Sequence, residues 1–385
     1  MMIKTRKTRL LMLSSCFHPA IGGAERQGLA LASCLRARHY SVAILTLHDR
    51  RRKQKCGFLP IPLIGIEFPQ MKIIGPIIAY CKGIAALFRL SRKRPVVAQV
   101  QALDQFTLAL GLAALVLKIP LLVRISGAYE MNLGYLTPRW GVRPQLAKVL
   151  LRRASHVLAL NPEIEQRLLN LGVQKKAILR LPNAVPDRYY EIERTPPLQR
   201  QLLSSPSILL VGRLAQFKGG EHMLRAWKSV IATYPTAFLH FAGDGPLRGD
   251  LEGLAGRLGI ADRVKFWGAI HEVPRFYGEA DIFVLPSQEE GMSNSLLEAM
   301  AAGLACVVND IPSTRWIVDN GHSGILVPPS DEATLASAIS RLLSNAAERA
   351  ALGLAARERV APWAFSRLTE DYINLYDQMR KTAKE

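Results

Sequence analysis

Asp281-Ile282-Phe283-Val284-Leu285-Pro286-Ser287-Gln288-Glu289-Glu290-Gly291-Met292-Ser293-Asn294-Ser295-Leu296-Leu297-Glu298-Ala299-Met300-Ala301-Ala302-Gly303 reads as a strand, a polar loop and the opening of a helix. The run from Ile282 to Leu285 is apolar without alternation, which suits a strand buried on both faces of a parallel sheet. Ser293, Asn294 and Ser295 supply N-cap chemistry, and Gly303 ends the helix that they begin. The first N–H groups of such a helix lack internal partners and sit at the positive end of its dipole, so a phosphate suits them. Two carboxylates, Glu290 and Glu298, flank this turn. An anion pocket has no need of them; vicinal hydroxyls on a ribose or a sugar do, because a carboxylate accepts two O–H hydrogen bonds at once.

The same strand, loop and helix unit recurs on both sides of this stretch. Strands are predicted at 207–212, 237–242, 264–267, 281–285, 304–308 and 324–327 in the second half of the chain. In the first half they fall at 9–14, 41–47, 96–100, 121–125 and 156–160, with helices over 75–90, 104–117 and about 143–153. Alternation of this kind implies an α/β fold of two doubly wound, Rossmann-like domains, with ligands bound beyond the carboxyl ends of the strands. The polar, proline-containing stretch 186–206 divides them, giving a first domain over 1–185, a linker, and a second domain over 207–361. From Pro362 a terminal helix over 362–385 carries Trp363, Phe365, Leu368, Tyr372, Leu375 and Tyr376 as an apolar stripe.

With 385 residues, 49% of them hydrophobic and 21% charged, the chain has material for two cores. The five cysteines, Cys16, Cys34, Cys56, Cys81 and Cys306, form no C-x-x-C pair, which argues against a disulfide framework or a zinc site and suits a reducing cytoplasm. The basic N-terminus leads into Leu10-Leu11-Met12-Leu13, too short for the apolar core of a secretion signal. The longest apolar run, 106–123, is broken by Lys118 and Pro120 and reads as a buried helix followed by a strand. Charge is unevenly spread: residues 1–190 hold 30 Lys+Arg against 8 Asp+Glu, a net +22, whereas the remainder carries −3. No RNA-binding aromatic motif or helix-turn-helix context accompanies these cations, so nucleic acid is not the expected partner. Attraction to anionic lipid or to a lipid-diphosphate suits them better. The helix over 75–90, with Ile77, Ile78, Ala85, Leu87 and Phe88 beside Lys82 and Arg89, reads either as a packed helix with a basic end or as one lying on a membrane.

Gly212-Arg213-Leu214-Ala215-Gln216-Phe217-Lys218-Gly219 follows a core strand directly, and its guanidinium and ammonium groups suit a diphosphate without help from a metal. Gly22-Gly23 precedes a helix and lets backbone approach an anion closely. No G-x-G-x-x-G follows the first strand and no G-x-x-x-x-G-K-[ST] occurs, which removes the phosphate cradles of dinucleotide dehydrogenases and P-loop enzymes. No D-x-D occurs either.

Glu290 and Glu298 stand as E-x7-E. Together with the G-R-L and K-G of 212–219, Pro19-x-x-Gly22-Gly23-x-Glu25, the turn at Asp244-Gly245-Pro246 and the run to Pro329, they resemble the retaining GT-B glycosyltransferases of glycosyltransferase family four. The resemblance spans nearly the whole chain. It implies two Rossmann-like domains facing each other across a cleft, the first binding the acceptor and the second the nucleotide-sugar, with the terminal helix crossing back to the first. It assigns the ribose to Glu298 and the donor sugar hydroxyls to Glu290. The diphosphate falls to Arg213, Lys218 and the N–H groups of Ser293, Asn294 and Ser295, with Gly22 and Gly23 on the donor from across the cleft. Gly268, Ala269 and Ile270 fall in the nucleobase region. On the acceptor side Ser126 stands where the family often has a histidine, beside Arg124. The implied reaction is hexosyl transfer with retention, from a UDP- or GDP-type sugar to a hydroxyl of a lipid-linked, glycolipid or polysaccharide acceptor. No metal and no further cofactor is implied. The implied location is the cytoplasm, with the basic first domain in peripheral contact with anionic membrane. A sugar-nucleotide epimerase or hydrolase on the same fold, or a membrane-binding module without activity, are the alternatives.

Overall fold

A computed structural model describes residues 9–15, 23–48, 63–67, 74–93, 96–125, 127, 142–196, 199–203, 206–270 and 272–382. The chain divides into two compact units, Met1–Ala184 with Phe365–Glu385, and Val185–Ala364.

In the first unit β1 (Arg9–Ser14), β2 (Ser41–His48), β3 (Leu63–Glu67), β4 (Val96–Val100), β5 (Leu121–Ile125), β6 (His156–Ala159) and β7 (Ile178–Arg180) form one sheet in the order β3-β2-β1-β4-β5-β6-β7, every pairing parallel. Its helices are α1 (Gly23–Ala37), α2 (Ile74–Lys93), α3 (Gln105–Val116), α4 (Val142–Arg153) and α5 (Pro162–Asn170). All five residues of β4 and of β5 are buried, including Gln99 and Arg124, the one polar residue in each otherwise apolar run. The apolar stretch 106–123 becomes α3 and β5, and Asp104 caps α3 by accepting from the Thr107 N–H at 2.9 Å. None of the described helices is long and apolar enough to cross a membrane.

The second unit continues with β8 (Ser207–Val211), β9 (Phe238–Ala242), β10 (Val264–Gly268), β11 (Ile282–Leu285), β12 (Ala305–Asn309) and β13 (Ile325–Val327), in the order β10-β9-β8-β11-β12-β13, again all parallel. Around them lie α6 (Gly220–Thr233), α7 (Arg248–Leu258), α8 (Val273–Glu279), α9 (Asn294–Ala301), α10 (Pro312–Ile317), α11 (Glu332–Ser344) and α12 (Ala346–Val360). The last helix, α13 (Phe365–Thr382), belongs to the first unit, where it packs on α1 and β4. Its stripe of Phe365, Leu368, Tyr372, Leu375, Tyr376 and Met379 is buried, and the Tyr376 hydroxyl donates to the Gln99 side chain on β4.

The charged stretch 186–206 is fixed onto the second unit by its polar groups. Arg200 makes a two-pronged ion pair with Asp281 at 2.7 and 2.8 Å, and Arg194 donates to the Tyr277 and Ala280 carbonyls. The Leu202 and Leu203 N–H groups donate to Glu279 at 2.7 and 2.8 Å. Burial pushes the Asp281 carboxyl up, but the hydrogen bonds from Arg200 and the Ser207 N–H, with the charges of Arg200 and Arg349, outweigh it and hold the group below the usual carboxylate range.

Candidate functional site

In a doubly wound sheet the ligand crevice opens where the strand order reverses, because the loops on the two sides there turn away from each other. In the second unit the chain runs from β8 outward through β9 to β10 and then returns to β11 on the other side of β8, so the reversal lies between β8 and β11. The loops that leave these two strands carry Arg213 and Lys218 on one side and Glu290 with the start of α9 on the other.

The two loops are fastened to each other. The Gln288 N–H donates to the Phe217 carbonyl at 2.9 Å. Gly219, in the left-handed region at φ 71°, lies so close to the second loop that a Cβ would stand 2.0 Å from the Pro286 carbonyl oxygen. From the end of β12, the Asn309 side chain donates to the Pro286 and Ser287 carbonyls at 2.9 and 3.2 Å. On the other flank the Leu214 N–H donates to the Asp244 carbonyl at 3.0 Å, and a Cβ on Gly243 would meet the Gly212 oxygen at 1.9 Å. The residue with positive φ in the turn after β9 is Gly243, at 155°, and not Gly245, which is held by space against Leu214. The Asp244 side chain turns back to accept from the Gly245 N–H at 2.8 Å, a turn role.

Across this junction Lys218 Nζ and Glu290 Oε1 meet at 2.5 Å, with side chains 22% and 9% exposed. The residues assigned separately to diphosphate and to sugar are thus one ion pair. The ring of Phe217 lies under the ammonium, its centroid 5.5 Å away. Arg213 is exposed and has no hydrogen-bond or ion-pair partner among the described residues. Ser293 is the N-cap of α9: its hydroxyl accepts from the Leu296 N–H and lies 3.1 Å from the Ser295 hydroxyl. Asn294 and Ser295, half-buried, make up the first turn.

Glu298 lies one turn further along α9 and has aromatic neighbours that the sequence did not announce. The fully buried Tyr277 hydroxyl donates to Glu298 Oε2 at 3.1 Å and approaches the Ser295 carbonyl at 3.2 Å. Tyr189, from the stretch after β7, packs edge-on against the Tyr277 ring at 5.8 Å. Burial, then the Glu298 charge, push the Tyr189 hydroxyl up to about 12, and the same two causes raise Tyr277 well above its ordinary range. The Tyr277 phenol, held as a donor beside Glu298, fixes the carboxylate's direction.

Gly268 ends the edge strand β10, two strands from β8, with Ala269 and Ile270 directly after it, and the bridge between Gly243 and Gly268 ties them to the row of strand ends. In the first unit Gly23 is the first residue of α1, while Gly22, Ser126, His18 and His271 lie outside the described residues. Arg124, at the end of β5, is 3% exposed, and its guanidinium donates to the Asn183 side chain and, at 3.4 Å, to the Ala24 carbonyl. That arrangement ties β5 to the start of α1 and directs the group into the unit. A separate cavity of about 500 Å³ in the second unit, lined among others by Arg315, Asp319, His322 and Arg359, shares no residue with the strand-end loops.

Residues 22–184 match the family described as Glycosyl transferase 4-like domain, and residues 205–345 match Glycosyl transferases group 1. The lipopolysaccharide core biosynthesis glycosyltransferase LpsD of Rhizobium meliloti is 28% identical over 264 residues, 66% of this chain and 69% of that one. An exopolysaccharide phosphotransferase of Streptomyces coelicolor is 30% identical over 212 residues, which are 54% of this chain but only 22% of that much longer protein. Among solved structures, Anabaena HepE in complex with UDP superimposes with a TM-score of 0.79 at 19% identity, covering 97% of this chain and 100% of HepE. The two family matches lie one in each unit, and the fold superimposes on that of the structural neighbour, so the chain belongs to the GT4-type glycosyltransferases and has the GT-B fold of two Rossmann-like domains.

Proposed function

We propose that the chain transfers a hexose from a UDP- or GDP-type sugar to a hydroxyl of a lipid-linked, glycolipid or polysaccharide acceptor, with retention of configuration and without a metal. The observation that carries this reading is the meeting of Lys218 and Glu290 at 2.5 Å where the strand order reverses, beside the N-terminus of α9. A diphosphate brought there is met by the Lys218 ammonium, the Arg213 guanidinium and the first-turn N–H groups of α9, all of which favour the charge that grows on the leaving group. Glu290, relieved of part of its pairing with Lys218 as the phosphate arrives, accepts from the donor sugar hydroxyls. Glu298, aimed by Tyr277, accepts from the ribose, and the backbone of Gly268, Ala269 and Ile270 lies toward the base. In same-face attack the leaving phosphate oxygen takes the acceptor proton as the new glycosidic bond forms, so no side chain is required as a base.

The first unit takes the acceptor in this reading, on the side of Ser126, with Gly22 and Gly23 turned to the donor and Arg124 bracing the end of β5 against the start of α1. HepE was solved with UDP, which makes UDP-sugars the first donors to try. LpsD, by its name a lipopolysaccharide core enzyme, supports a glycolipid acceptor; the cytoplasm, with the basic first unit against an anionic membrane, is the location that suits such an acceptor. The test is a panel of UDP- and GDP-sugars followed by thermal shift, with transfer scored on a glycolipid extract with and without chelator. One nucleotide should raise the melting temperature, and product should keep the donor's anomeric configuration in either buffer. Inversion, a requirement for added metal, or consumption of donor at an equal rate without acceptor would each overturn the proposal.

A further inference from the structure

Of nine large hydrophobic side chains exposed among the described residues, seven lie on three helices of the first unit. Ile77, Ile84 and Phe88 are 54, 37 and 42% exposed on α2; Val116 is 82% exposed at the end of α3; Val142, Leu146 and Val149 are 74, 37 and 48% exposed on α4. These helices form one layer. The Tyr80 ring of α2 stacks on Phe106 of α3 at 6.3 Å, and Gly111 of α3 lies against Leu150 of α4. The spacings 77, 84, 88 and 142, 146, 149 each trace a single stripe along a helix, so the exposure is a feature of two faces and not a scatter of side chains.

Charge follows the same pattern. α2 carries Lys82, Arg89, Arg92 and Lys93, and α4 carries Arg143, Lys148, Arg152 and Arg153, with no Asp or Glu on α2, α3 or α4. The Arg92 guanidinium lies over the Phe88 ring at 5.1 Å, and Arg89, Lys148 and Arg153 have no ion-pair partner among the described residues. A second copy of this chain on the same face would set these cations against their own kind. An anionic bilayer meets both needs, taking apolar tips at the boundary of headgroups and acyl chains and cations on lipid phosphates.

We propose that the face built by α2, α3 and α4 docks on an anionic lipid bilayer, the stripes of Ile77, Ile84, Phe88 and of Val142, Leu146, Val149 entering its interface. This locates the membrane contact in the reading above and depends on that part of it alone. The helices lie on the membrane and do not cross it. The experiment is co-sedimentation of the purified full chain with phosphatidylcholine vesicles prepared with and without phosphatidylglycerol. The protein should partition onto the anionic vesicles and be released by salt. Arg89→Gln/Lys148→Gln/Arg153→Gln should lower partitioning by about 10²-fold, since each cation near such a surface is worth about fivefold. Ile77→Ser/Val142→Ser/Val149→Ser should also weaken it with little change in melting temperature, because these are the more exposed members of the two stripes. Equal binding to neutral vesicles, wild-type binding by both triple variants, or a dimer in solution that the Ser variant dissolves would overturn the proposal. No donor sugar enters this measurement, so its failure leaves the transfer reading standing, and the failure of transfer leaves the docking face standing.

Discussion

Replacing Lys218 with Met removes the cation at the junction of the two loops while keeping the length of the side chain. Two effects follow, and they separate. The first is on stability: Glu290 is left with its carboxylate 9% exposed and its 2.5 Å counter-ion gone. An exposed pair is worth about 1 kcal/mol or less, and stranding one partner of a buried pair costs about 3 kcal/mol or more. With Lys218 at 22% exposure this pair lies between, so a loss of about 2 kcal/mol, or about 4 to 8 °C in melting temperature for a unit of this size, is expected. Glu290→Gln should cost less, because the ammonium it leaves behind reaches water more readily. The double variant Lys218→Met/Glu290→Gln leaves neither charge stranded and should recover most of the loss. The second effect is on transfer: a lost donor to a developing negative charge lowers turnover by about 10²-fold, and the double variant cannot restore it. Melting curves and steady-state transfer rates on the three variants form a double-mutant cycle. If the double variant regains both its melting temperature and its rate, the pair is a structural brace and the diphosphate role of Lys218 is refuted.

Tyr277→Phe removes the hydrogen bond of 3.1 Å to Glu298 with little change of volume, and should weaken nucleotide binding by about tenfold, as measured calorimetrically, while Arg213 and Lys218 remain in place. His240, buried on β9 and accepting from Trp267 Nε1 at 3.2 Å, has its imidazole pushed down from 6.5 to about 4 by burial and by the Lys265 charge. The unfolded chain therefore takes up a proton as pH falls below 6.5 while the folded one does not until about 4, so this contribution is whole above 6.5 and about 3 kcal/mol is lost across that window. Urea titrations at several pH values should show that slope, and a His240→Gln variant should flatten it. Gly219→Ala places a methyl group 2.0 Å from the Pro286 oxygen and should lower both melting temperature and transfer, whereas Gly212→Ala, with nothing within 4 Å, should leave the melting temperature unchanged.

Strands buried on both faces are mainly apolar runs without alternation, broken by no more than a single interior polar residue such as Gln99, Arg124 or His240, and for this reason β4, β5, β8, β9, β11 and β12 are legible in the sequence within a residue or two. The short edge strand β7 is half-exposed and lacks that signature. The stretch 186–206 reads as a linker from its polarity, yet its arginines are anchors: Arg200 finds Asp281 across 81 positions, and no local pattern announces such a partner. The site follows the same division. Glu290, Glu298, Arg213 and Lys218 are legible because each sits in a loop that immediately follows a recognisable strand or opens a helix. The pairing of Lys218 with Glu290 spans 72 positions and exists only because β8 and β11 are neighbours at the reversal of strand order. Tyr277 and Tyr189 look like ordinary core aromatics until Glu298 is seen beside them.

The return of α13 to the first unit has a consequence for how the chain is made. Tyr40 and Gln99, which receive Asp377 and Tyr376 from that helix, leave the ribosome before the whole of Val185–Ala364 has been synthesised. At ordinary translation rates that interval is on the order of ten seconds or more. During it the nascent first unit presents an uncovered apolar strip along α1 and β4, a natural foothold for a chaperone, and its completion waits for α13 to appear.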